Sequence, residues 1–283
     1  MKYFIYPISI LFLIIGLFSC SSKKQEQVND YKGIENSPQR DADIQRYNLE
    51  VKKKNTTSRT PGDTIAIMEY VFNKYPQGTY LINFDKTLTC NVPQPALIYD
   101  NQSGNNYVFG VIARSKPGER LIESKNIIGY DQSYVDLDST KLGTAFFYVC
   151  LFQYVNDQIT TVWEAPIPSH GGFNSVSMNK WDYNGTRYFD VNFHYAQGVG
   201  HIDYNYFLVN GITSQPHLLM TYKGINFQRT IANVNNDKYP DYMEYLYIDT
   251  GDKVIALDSI PFVWSVKDSL YVNTRNKKQT RPY

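Results

Sequence analysis

From residue 80 onward the chain is written in short runs of Tyr, Phe and β-branched residues, each broken by Asn, Asp, Gly or Pro. This punctuation constrains the fold more than any other feature. In segment 188–195, Phe189, Val191, Phe193 and Tyr195 alternate with Asp190, Asn192 and His194. A period of two puts the first set on one face of a strand and the second on the other. Comparable runs stand at 80–84, 96–99, 107–113, 145–154, 159–163, 204–209, 218–222, 242–248 and 254–257. Asn156-Asp157, Asn184-Gly185, Asn210-Gly211 and Thr250-Gly251-Asp252 supply hairpin turns between them. The 25 Tyr and 15 Phe suit half-buried pleated surfaces. The expectation is an all-β, mainly antiparallel body.

One stretch departs from that pattern. Thr60-Pro61-Gly62-Asp63 has a capping Thr, a Pro where a missing N–H costs nothing, and an acid three places after the cap. Ile67, Met68, Val71, Phe72 and Tyr75 then recur at helical spacing, and Pro76 and Gly78 end the run. This predicts one short N-terminal helix over 61–75, laid by its single apolar face against a sheet.

The first nineteen residues carry one Lys, then an apolar run too short for an ordinary spanning helix. They read as an export signal. Without them, 264 residues hold 27 basic and 27 acidic side chains, and that balance argues against nucleic acid as a partner. Leu17-Phe18-Ser19-Cys20 resembles the lipobox of bacterial lipoproteins. The resemblance implies that Cys20 is acylated, carries palmitate and anchors the chain to a lipid bilayer of the cell envelope. Ser21-Ser22, with no acidic run behind them, resemble a signal for the outer membrane. Residues 20–59 are polar and read as a flexible tether, leaving 60–283 as one mainly β domain. Cys90 and Cys150 are left in an oxidising compartment, either paired or as buried free thiols.

A polar pattern recurs at the head of several strands. It is Asn233-x-Asn235-x-Asp237-x-Tyr239-x-Asp241, and earlier Asp182-x-Asn184-x-Thr186-x-Tyr188-x-Asp190 and Asp136-x-Asp138-x-Thr140, with a poorer copy at Asp85-x-Thr87-x-Thr89. The starts at 136, 182 and 233 lie 46 and 51 residues apart. That period fits a small or incomplete propeller-like array of four-stranded units; the other account is Asx-rich turns, which precede strands in any β protein. In 233–241 the oxygens fall at alternate loop positions, as a hard cation such as calcium requires. The stretch 231–242 resembles the calcium loop of the integrin-alpha-like (FG-GAP/VCBS) propeller repeat family. The resemblance implies calcium held by Asn233, Asn235, Asp237 and Asp241 with the carbonyl of Tyr239, although Asn233 and Lys238 replace the family's Asp and Gly. Asp182, Asn184, Thr186, Tyr188 and Asp190 form a weaker second loop. The competing reading is an empty turn in which the same side chains satisfy their own backbone.

No zinc-protease helix pair, Gly-x-Ser-x-Gly elbow or phosphate loop occurs. The four His stand at 170, 194, 201 and 217; His194 and His201 flank a Gly-rich loop across which they could meet. No catalytic residue is assigned. The expected function is a non-catalytic, lipid-anchored envelope module for binding or assembly, with an envelope protein or glycan as partner. The alternative is an envelope hydrolase acting on glycan or peptidoglycan through an acidic pair brought together across strands.

Overall fold

The structure is a computed structural model and describes residues 38–84, 90, 94–102, 104–115, 145–168, 175–194 and 201–280. The leader, Cys20 and the repeat copies at 85–89 and 136–140 lie outside the described residues. The body is antiparallel β throughout, in two sheets, with two helices ahead of it. It is all-β, as the strand text requires.

The helices are α1 (Pro38–Asn55) and α2 (Thr64–Lys74). The structure corrects the helix start. Thr60–Asp63 closes a turn, with the Asp63 amide donating to the Thr60 carbonyl at 3.0 Å, and Gly62 takes φ +73. Asp63 is the cap, and its carboxylate accepts from the Ala66 amide at 2.8 Å. The helix α1 lies in the stretch read as tether. Among its described side chains only Leu49 is buried; Lys53 bridges to Glu69 on α2 at 2.5 Å, and Arg46 sits over the Phe72 ring. Good helix formers and a partner helix order a segment that has almost no core of its own.

The first sheet contains β1 (Thr79–Leu81), β2 (Leu97–Gln102), β3 (Asn105–Ser115), β4 (Ala145–Val155) and β5 (Gln158–Ile167). Strand β3 is its spine, pairing β2 along its first half, β1 along its second and β4 along its whole length. Alternation sorts β3 cleanly. Val108 and Ile112 face Ile67 and Val71 of α2, while Phe109, Val111 and Ala113 face the second sheet. With both faces covered, β4 is nearly continuous apolar text. Cys150 is fully buried there and Cys90 is exposed, and neither is in a disulfide; burial pushes the Cys150 thiol far up.

The second sheet runs in chain order through β6 (Ser175–Tyr183), β7 (Thr186–His194), β8 (His201–Phe207), β9 (His217–Lys223), β10 (Gln228–Ala232), β11 (Asp241–Asp249), β12 (Val254–Ser265), β13 (Leu270–Asn273) and β14 (Gln279–Thr280). One face of β6–β8 packs on the first sheet, where Phe109 stacks on Phe189 with centroids 3.5 Å apart. The opposite face presents Tyr188, Phe207 and Leu219, which pack against Tyr242, Phe262, Trp264 and Tyr271 of β11–β13. The sheet therefore folds back on itself. The fold falls at β9–β10, where only Gln228↔Lys223 and Arg229↔Tyr222 pair across a tight Gly224–Phe227 turn. Among the described residues there are no separate four-stranded sheets. The layering runs α2, then β1–β5, then β6–β9, then β10–β13, the last two joined by that short ladder.

Candidate functional site

The 233–241 segment links β10 to β11, and its oxygens are occupied by N–H donors. The Asn235 side-chain oxygen accepts from the Asp237 amide at 3.1 Å, and Asp237 accepts from the Tyr239 amide at 2.7 Å and from the Asn235 side chain at 2.7 Å. Asn233 donates to Asn236 at 3.1 Å. Asp241 is wholly buried; one oxygen takes the Trp264 amide at 2.9 Å and the other the Val234 and Asn235 amides at 3.0 and 3.4 Å. Burial raises the Asp241 carboxyl and these three amides lower it, with burial the larger cause. In this hydrogen-bonded form the Asp237 and Asp241 carboxylates already hold N–H donors, which an ion would have to displace or share. Tyr239 is half-buried beside it, its ring under the Lys238 ammonium at 5.1 Å.

The second loop is a tight hairpin. Asn184 and Gly185 take φ 45 and 75, the positive pair that a two-residue turn requires. Asp182 pairs with Arg187 at 2.7 Å, and Thr186 is the first residue of β7. Asn184 and Tyr188 instead hold the first loop from below. The Asn184 amide donates to the Asp237 carbonyl, and the Tyr188 hydroxyl to the Lys238 carbonyl at 2.7 Å. Asp190 lies farther along β7, opposite Asn179, so the five positions are not gathered around one point.

What the ladder does gather is a different set. Strands β7 and β8 carry mirrored polar rows in which Asp190 faces Asn205, Asn192 faces Asp203 and His194 faces His201. His194 and His201 are thus direct cross-strand partners. Across β9, Thr221 stands opposite Asp203. This is the face of the third layer over which β10 crosses. Between them lies a cleft of about 310 Å³ lined by Trp181, Asp190, His201, Asp203, Asn205, Thr221, Tyr222, Lys223 and β10 residues Gln228–Ile231. The size is at the lower end for small-ligand sites.

The cleft holds both paired and unpaired polar groups. The Asn205 amide donates to the Thr221 hydroxyl at 2.9 Å and to the Leu219 carbonyl at 3.1 Å, fixing the floor. His201 Nε2 lies 3.3 Å from Asp203 Oδ2. Arg229 is held between the Tyr222 and Tyr242 rings and bonds Glu244 at 3.2 Å. Yet Asp190 Oδ1, Asp203 Oδ1, Trp181 Nε1 and Arg229 Nε are all buried without a hydrogen-bond partner. Burial, with the Asp203 charge second, raises the Asp190 carboxyl to about 7. The Asp203 carboxyl is also raised by burial, against the lowering effects of His201 and of a hydrogen bond from the Thr221 hydroxyl. Among the described residues no three His, Cys, Asp or Glu side chains gather as a metal site.

The sequence contained half of this signal. Asp190, Asn192 and His194 stand out as one face of a strand, and His201-x-Asp203-x-Asn205 repeats the row in reverse on the next. Comparison with protein-family models, curated proteins and solved structures finds no match for this chain.

Proposed function

We propose that this chain is a lipid-anchored module of the bacterial cell envelope, held by an acylated Cys20, that binds a ligand in the cleft between β6–β9 and β10. The observation that carries the binding reading is the set of four unpartnered polar atoms around one cavity. Buried polar groups are nearly always hydrogen-bonded, and each exception costs about 1–3 kcal/mol. Four exceptions in one cleft make sense where a ligand completes them. The envelope address draws its support from the leader and the Leu17–Cys20 text.

A hydrolase using Asp190 and Asp203 is the second reading, favoured by two carboxylates on neighbouring strands in one cleft. Both carboxyls are pushed upward, whereas an acid–base pair needs environments that push its members apart. Binding without turnover fits better.

A thermal-shift panel of oligosaccharides, polyamines, dicarboxylates and short peptides tests the binding reading. One class at about a hundred times its Kd should add about 2.7 kcal/mol, or about 5–10 °C in a chain of this size, and Asp190→Ala should abolish the shift. A panel without any shift refutes it. For the anchor, Cys20→Ser should lose the palmitate label and move the protein from the membrane to the soluble fraction.

A further inference from the structure

Resting on that binding reading, we infer that the ligand is a neutral polyhydroxyl compound, a glycan segment, recognised through Asp190, Asp203, Trp181 and Arg229. The unpartnered set is mixed: two carboxylate oxygens accept, and an indole N–H and a guanidinium N–H donate. A cation would satisfy only the oxygens, and an anion only the N–H groups. A hydroxyl does both, and several on one rigid ring can serve all four positions.

The charge count points the same way. Asp190 and Asp203 are set against Arg229 and Lys223, with His201 beside Asp203 and Glu244 already engaged by Arg229. A balanced cleft offers no net field to select an ion of either sign. Trp181, Tyr222 and Ile231 supply apolar wall, which suits the C–H faces of a sugar ring. Asn205 spends its amide on the Thr221 hydroxyl and the Leu219 carbonyl, and the Thr221 hydroxyl is directed to Asp203, so the two shape the floor.

The test is calorimetric titration of the mature chain in detergent with cellotetraose, maltotetraose and chitotetraose as neutral glycans, spermidine as a cation and citrate as an anion. At least one tetrasaccharide should bind with a millimolar or tighter Kd. Trp181→Phe keeps the ring and removes the N–H, and should weaken that binding about three- to tenfold, the loss of one hydrogen bond. Asp190→Ala should weaken it further. Binding of spermidine or citrate alone overturns the glycan assignment and leaves the cleft a binding site. Glycan binding unchanged in both variants overturns the residue assignment. No binding by any probe overturns this inference and the reading beneath it. Shortened sugars in the titration cell would keep the glycan class and overturn only the absence of turnover.

Discussion

Replacing Asp190 with Asn should make the protein more stable, by an amount that grows from about pH 4 to neutrality. The Asp190 carboxyl rises from the ordinary 3.8 to about 7, first through burial and then through the Asp203 charge. Between those values the native state holds a proton that the unfolded chain has released. Stability from this group is therefore complete in acid and is lost as pH climbs through the folded value. A gap of that size corresponds to about 4 kcal/mol at most, and to about 2–4 kcal/mol once incomplete burial is allowed for. At pH 5 the native carboxyl is neutral but the unfolded one has ionised, so only about a third of that gap is expressed. At pH 8 the wild type bears a buried, unpartnered carboxylate and the Asn variant does not. Urea unfolding of both proteins at both pH values measures the difference. With a slope near 3 kcal/mol/M, the midpoint of the variant should move up by about 1 M at pH 8 and by about a third of that at pH 5. Most other titrating groups cancel in the double difference; Asp203 and His201, which share the cleft, are the ones to follow with Asp203→Asn. An equal effect at the two pH values, or a loss at pH 8, would refute the reasoning, because it would mean that ionised Asp190 has a partner.

Asp237→Ala, which removes the acceptor of the Tyr239 amide, should lower stability by about 1 kcal/mol equally in calcium and in chelator. A loss confined to calcium would restore the ion expected from the sequence. Asp241→Asn should lose about 1–3 kcal/mol in denaturant titrations at neutral pH, because one oxygen becomes an NH2 group that faces a backbone N–H it cannot accept. Gly110→Ala would set a Cβ 2.8 Å from Leu97 Cδ2 and 3.2 Å from the Phe152 ring, and the overpacking should cost about 1–3 kcal/mol by the same assay. Asp63→Ala removes the cap of α2 and should cost about 1 kcal/mol, with the loss appearing as faster amide exchange at Ala66.

The alternation that predicts strands was legible because it is local. Val108 and Ile112 against Phe109 and Val111 can be sorted with a pencil, and the ladder agrees. Strand β6 was not legible: of its described side chains only Val176 and Met178 are fully buried, with Trp181 and Tyr183 half-buried on the other face, and the interspersed Ser, Asn, Lys and Asp read as loop. Its Lys180 is spent on the first sheet, bonding the Tyr99 carbonyl at 2.8 Å and Asp100 at 2.5 Å. The same limit hid α1, which carries one buried anchor, and the fold-back at β9–β10, which depends on how short a ladder is. Periodicity says which face a residue takes and nothing about what crosses over that face.

Asp241 and Asp190 hold the same place in two like sequence patterns and meet different surroundings in the fold. Asp241 and Asp190 each end a run of alternating polar residues before aromatic strand text, and spacing alone treats them alike. In the fold Asp241 receives three backbone amides and Asp190 Oδ1 receives none. A carboxylate that has already met its donors holds a loop together and has little left for a guest. One left without donors is a cost to folding, up to several kcal/mol when charged, and it is tolerated only where something outside the chain, or a retained proton, repays the loss. Which case applies is decided by cross-strand register: Asp190 faces Asn205, whose amide is committed to Thr221 and Leu219. Had Asn205 turned that amide toward Asp190, the cleft would be a satisfied polar patch, and the gain in stability expected of Asp190→Asn as pH rises would vanish.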